Sequence, residues 1–271
     1  MTAVWIILAA LLAVVLLGTV LFLIACRRGP VPDLTKPEVI AKWGRAEQTE
    51  EILAGVRLMQ DAENIFLPSY DGLRLHGRLL QQPGAKGTIL LFHGYRSSWV
   101  IDFSIVLPYY FTLGYNLLAA DERAHGESEG TYITFGVRER HDVATWAAYA
   151  AMHFGPAHPL ILDGLSMGAA TVLMASELAL PASVRGIIAD CGFSSPYAIM
   201  KSVLHWRCPW LVSGPLLAPG CSAASACGRS RRPRPSPIQS CPSSSSTAPA
   251  IRLSPAPCRR RRMTPAREKS G

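Results

Sequence analysis

A serine with glycine two residues away on each side is the first feature with chemical potential: Gly164-Leu165-Ser166-Met167-Gly168. The pattern is short, so its setting decides its weight. The apolar run Pro159–Leu162 before it reads as a strand, and Met167–Leu178 after it reads as a helix. A chain passing from strand to helix through one residue turns sharply and strains the backbone at Ser166. Side chains two residues before and after the serine would collide across that turn. Gly164 and Gly168 remove the collision, and Ala169 and Ala170 keep the helix start close to the sheet. The helix N-terminus then aims free N–H groups and the positive end of its dipole at the serine, which is the expected nucleophile of an acyl transfer.

Acyl transfer needs two N–H donors aimed at the developing oxyanion. Met167, just after the nucleophile, supplies one. The loop Phe92-His93-Gly94-Tyr95, which ends an earlier apolar run, supplies the other, expected at the backbone of Tyr95. His93 could be a base, but its place suits a brace for that loop, with Gly94 giving the backbone room. Asp121 opens Asp-Glu-Arg-Ala-His-Gly-Glu-Ser, a tight turn in which a carboxylate accepts backbone N–H groups; scaffold is its expected role and catalytic acid the alternative.

These residues need a frame. Ile65–Leu67 and Leu73–Leu80 read as a hairpin around Tyr70-Asp71-Gly72. From Gly87 onward, strands Thr88–Phe92, Tyr115–Ala119, Pro159–Leu162 and Val184–Ala189 alternate with helices Ile101–Phe111, Val137–His153 and Met167–Leu178. That rhythm is the signature of α/β chains with a mostly parallel sheet and helices on both faces. Ligands bind such sheets at the carboxyl ends of the strands, where every candidate above falls.

The strings Leu91-Phe92-His93-Gly94, Asp121 to Gly130 and Gly164 to Thr171, in that order, resemble α/β-hydrolases of the serine aminopeptidase and monoacylglycerol-lipase-like group. The Ser128-to-Gly136 run and the Ser-Met-Gly-Ala-Ala-Thr turn are most similar to membrane-anchored bacterial members. The likeness covers about residues 60 to 205 and implies an α/β-hydrolase fold acting on ester or peptide bonds, with no metal and no cofactor. Asp163 departs from it, since a neutral or aromatic residue is commoner there. The resemblance also implies an Asp after a later strand and a His after the last one, and neither is found. Asp190 is the last carboxylate before Glu268 and is kept as an acid candidate; His205 falls where a cap is expected. The sheet is therefore expected to be incomplete at its C-terminal edge and the activity impaired.

After Trp210 the chain is Pro, Ser, Ala, Arg and Cys without hydrophobic periodicity, a composition that cannot bury a core. It reads as a basic arm for nucleic acid or acidic lipid, as a linker, or as a frame-shifted C-terminus. The third is favoured: read one base earlier, Ser243 to Ser246, if encoded TCN, become four apolar residues, and Ser240 to Pro255 can spell a strand followed by His-Gly-x-x-Asp. The base would still be missing.

The net charge of +8 over 271 residues comes from this tail: from Pro215 on there are eleven Lys/Arg and one acid, so the body is near neutral and nucleic acid is not an expected partner. Seven cysteines without CxxC spacing argue against a zinc site or a disulfide framework. Residues 2–26 hold no charge and are long enough to span a bilayer; an uncleaved anchor is favoured over a lipoprotein signal ending at Cys26 or a buried helix. Arg27, Arg28, Lys36, Lys42 and Arg45 follow, which favours a single-pass membrane protein with its main domain in the cytoplasm. The expected organisation is an anchor (1–26), a juxtamembrane amphipathic helix (27–62, with Ile40, Trp43, Ile52, Leu53, Val56 and Met59 at helical spacing), a partial hydrolase core (63–206) and a tail (207–271). The partners are then the membrane and a small-molecule ester or peptide substrate.

Overall fold

The computed structural model describes residues 2–30, 36–42 and 46–207. The expectations for the tail beyond Arg207 lie outside the described residues.

Alternation of side chains builds the centre. Strand β3 (Gly87–Phe92) is buried along its whole length. It lies between β4 (Tyr115–Ala120) and β5 (Leu160–Leu165), parallel to both. Ile89 and Leu91 face one side with Leu117 and Ala119, while Leu90 and Phe92 face the other with Leu118 and Ala120. Such runs, apolar on both faces, are what a parallel sheet covered by helices requires. The hairpin β1 (Glu63–Pro68) and β2 (Arg74–Leu80) turns at Gly72, whose φ of 85° favours glycine. It adds β2 antiparallel to β4, and β6 (Val184–Asp190) adds parallel to β5. The order across the sheet is β1-β2-β4-β3-β5-β6.

Helix α1 (Thr2–Cys26) precedes the sheet and is exposed except at Cys26. It is long and apolar enough to cross a membrane. On one face of the sheet pack α3 (Thr49–Leu58), α4 (Trp99–Asp102) and α5 (Leu107–Thr112), with Ile40 of α2 (Pro37–Lys42) in the same cluster. On the other face pack α6 (Glu139–Phe154) and α7 (Met167–Ala175). Helix α8 (Pro196–Arg207) follows β6.

Two expected helices are divided. The amphipathic stretch from Pro37 is α2 and α3 with a 3-10 turn at Ala46–Gln48. The stretch Ile101–Phe111 is α4 and α5, broken where Pro108 sits at the start of a new helix, the position proline tolerates. Gly55 marks the contact of the two layers: a methyl there would meet the Ser104 backbone, 2.6 Å from its carbonyl carbon.

The chain adopts an α/β-hydrolase fold whose sheet, among the described residues, ends at β6. Ile188 and the end of that strand are exposed along the outer edge.

Candidate active site

The connections leaving β3 and β5 run in opposite directions, toward β4 and toward β6, although the two strands are neighbours. That reversal opens a crevice at their carboxyl ends. The chain there holds His93-Gly94-Tyr95 after β3 and Ser166 after β5.

Ser166 has φ 54° and ψ −107°, in a region that L-residues rarely occupy. A backbone of this kind costs on the order of 1–3 kcal/mol and persists only where the surroundings impose it. Here its own N–H donates to the Asp190 carbonyl at 2.8 Å, tying the turn to β6, and its carbonyl accepts from Ala170 N–H at 3.1 Å, starting α7. The two glycines are sterically required. A methyl at Gly164 would come within 2.6 Å of Ala169 N. One at Gly168 would overlap the Phe92 carbonyl and lie 2.8 Å from the His93 oxygen. Gly168 thus seats α7 directly on the end of β3. The serine is partly open to solvent, while Met167 beneath it is buried.

The β3 loop adjoins the serine: a methyl on Gly94 would be 3.4 Å from Ser166 Cβ. Its donors are committed around one position. Gly94 N–H donates to Asp102 Oδ2 at 2.7 Å, and Arg96 N–H donates to His125 Nε2 at 2.9 Å. Tyr95 N–H, between them, has no acceptor among the described residues. Met167, as first residue of α7, has no intrahelical acceptor for its N–H either.

His93 is fully buried and both of its ring nitrogens are used. Glu122 N–H donates to Nε2 at 3.2 Å, so the proton resides on Nδ1, which donates to the Gly94 carbonyl at 2.9 Å. No lone pair remains to accept a proton from serine. His125 packs edge-on against it, 4.9 Å between centroids, and burial pushes its pKa down to about 3.

Asp121 lies apart from the serine. Its Oδ2 accepts from His76 Nδ1 at 2.7 Å and from Glu127 N–H at 2.9 Å. Burial raises its pKa, and the His76 hydrogen bond with the neighbouring positive charge outweighs that, leaving the carboxyl below the usual range. Asp190 ends β6 beside the turn with its side chain exposed. Asp163 is buried and accepts from Tyr110 OH at 2.8 Å; burial raises its pKa to about 6 against that hydrogen bond. The α5 hydroxyl is what accommodates a carboxylate in this strand.

Sequence reasoning missed three residues here. Asp102 holds the oxyanion-side loop through both carboxylate oxygens, on Gly94 N–H and on Ser97 Oγ at 2.9 Å. Arg96 has φ 51° and anchors that loop from outside. Glu122 is entirely buried without a hydrogen-bond partner, and burial holds its pKa well above the usual carboxylate range. The run Ser97-Ser98-Trp99 ahead of Asp102 is a helix-start signal; nothing local announces the other two.

Among the described residues no histidine bonds Ser166, and no cluster of ligands fits a metal ion. The seventh histidine, His205, is in the last turn of α8.

No protein-family model matches the chain. It is similar to the uncharacterized protein YqkD of Bacillus subtilis, 26% identical over 141 residues, 52% of this chain and 45% of that protein. Among solved structures it is similar to the esterase Pf2001 of Pyrococcus furiosus, with 23% identity and a TM-score of 0.49, covering 60% of this chain and 63% of that one. An alpha/beta hydrolase from Novosphingobium aromaticivorans is 20% identical with a TM-score of 0.37, covering 48% and 44%. The chain thus spans less than two thirds of each of these proteins.

Proposed function

We propose that this chain is built as a serine hydrolase of acyl bonds, ester or peptide, with Ser166 as the nucleophile. The observation that carries the reading is the strained backbone of Ser166 at the start of α7, beside the Gly94 loop and at the crevice of the sheet. Ser166 Oγ attacks the carbonyl, and the N–H groups of Tyr95 and Met167 hold the oxyanion in place of water. His93, Gly94, Asp121, Gly164 and Gly168 hold the loops, with no direct part in the proton transfers. No metal or cofactor enters this chemistry.

The proton on Ser166 has no acceptor among the described residues, since His93, His125 and His76 are committed elsewhere. Asp190 is the remaining candidate acid, and it lacks a histidine to orient. An unactivated serine is a poor nucleophile at neutral pH, so this chain turns over slowly, consistent with a frame-shifted C-terminal segment. We place the chain at a membrane through α1, single-pass, with the main domain on the cytoplasmic side by the charges that follow the helix.

Hydrolysis of a fluorogenic short-chain ester tests this. The expected kcat lies on the order of 10⁴–10⁶ below that of an intact serine hydrolase, with the residue of activity lost in Ser166→Ala. An ordinary kcat that depends on Ser166 overturns the missing-base argument. Activity untouched by Ser166→Ala overturns the nucleophile.

A further inference from the structure

The end of α1 is docked on the loop beside the nucleophile. Tyr95 OH donates to the Ala25 carbonyl at 2.7 Å. The Arg96 guanidinium donates to the Ile24 carbonyl at 2.8 Å and to the Arg27 carbonyl at 3.0 Å. These are the orphan carbonyls at a helix C-terminus, and loop groups cap them. On the far side, Ile133 N–H donates to the Cys26 carbonyl at 2.6 Å and Arg28 N–H to the Thr131 carbonyl at 2.8 Å. Cys26 is buried in one cluster with Met167, Ala124, Ile133 and Phe135, against which Tyr95, Phe193 and Ile199 also pack. From helix end to nucleophile the path is Ala25, Tyr95, Gly94, Ser166.

Length fixes where that junction sits in a bilayer. Twenty-five residues at about 1.5 Å each give a rod of roughly 37 Å against a hydrocarbon core of about 30 Å. The last turn of α1 therefore falls at headgroup level. Tyr132, half-exposed, lies with its ring 5.3 Å from Phe22 of α1, the arrangement of an interfacial aromatic. Arg27, Arg28 and Arg96 gather around the same turn, where guanidinium groups meet phosphates. Beside this junction α8 exposes Tyr197, Met200 and Val203, apolar side chains continuous with the anchor's own cluster through Ile199.

We propose that the mouth above Ser166 is a membrane-contact surface, and that its substrate is an amphiphilic ester resident in the leaflet, entering sideways from the bilayer. This rests on the serine-hydrolase reading of the same site. A water-soluble substrate would need a mouth open to bulk solvent, and the docked anchor places lipid on one of its sides. Tyr95 then serves twice: its hydroxyl holds the anchor while its backbone N–H faces the reaction.

The test uses the full chain reconstituted in phosphatidylethanolamine and phosphatidylglycerol vesicles. They carry a monoacylglycerol whose acyl chain has a diazirine next to the ester carbonyl. Irradiation followed by peptide mass spectrometry is expected to find adducts in Gly94–Arg96 or Phe193–Tyr197. Adducts confined to Thr2–Ile24 and Tyr132 overturn the proposal. Ser166→Ala keeps the adduct pattern, because cross-linking reads proximity and needs no reactive serine; loss of the hydrolase reading and loss of this one are thus separate results.

Discussion

Gly168→Ala probes the geometry on which the site depends. The added methyl would overlap the Phe92 carbonyl and stand 2.8 Å from the His93 oxygen, and both obstacles are backbone of a buried strand end. Neither can rotate away, so α7 must lift from β3 by roughly an ångström or more, an overpacking cost of about 1–3 kcal/mol. Ser166 and the Met167 N–H ride on that helix start, and a misplacement of about 1 Å lowers reactivity about 10²-fold. Gly186→Ala is the matched control: a methyl there meets nothing within 4 Å, and its effect should stay within about 0.5 kcal/mol. The assay pairs urea unfolding with the rate at which a fluorophosphonate labels the protein. Gly168→Ala should lose both stability and labelling while Gly186→Ala keeps both. A Gly168→Ala protein that unfolds and labels like the parent would refute the steric argument.

Three further outcomes follow from the buried polar groups. Glu122→Gln should stabilise the protein increasingly as pH rises above about 4.5, because the unfolded carboxyl ionises there while the folded one stays protonated; urea midpoints between pH 4 and 8 check the sign. Arg123 is buried with both nitrogens of its fork on Asp142, at 2.6 and 2.7 Å, and further bonds to Asp71, so Arg123→Met should cost about 3–5 kcal/mol by stranding Asp142. Tyr110→Phe removes the donor to Asp163, whose pKa lies near 6; the loss, about 1.5–3 kcal/mol, should be full above that pH and shrink below it, as thermal melts at pH 5 and 8 would show.

The fold was legible because its signals are local. β3 and β4 announce themselves as short apolar runs, and the Gly-Leu-Ser-Met-Gly spacing is itself a steric record of the turn: Gly168 is glycine because of Phe92, seventy-six positions away, yet the pattern shows in five residues. The division of Ile101–Phe111 was hidden because Pro108 suits a helix start as well as an interruption, and only tertiary packing chooses. Asp163 read as an oddity until Tyr110, fifty-three residues earlier, supplied its hydrogen bond. The docking of α1 had no signal at all. Apolar composition says that residues 2–26 leave water, and nothing in it says that Ala25 will meet Tyr95. Glu122 lies in a polar run that reads as a solvated loop, and three layers of packing bury it.

The central claim is that Ser166 occupies a nucleophile turn whose base is missing. Intact-mass analysis with prolonged exposure to a fluorophosphonate, followed by peptide mapping, tests it most directly. The account predicts one slow, single-site adduct on Ser166, absent in Ser166→Ala and forming faster as pH rises. An adduct on any other residue, or labelling of Ser166 within seconds at pH 7, would contradict it.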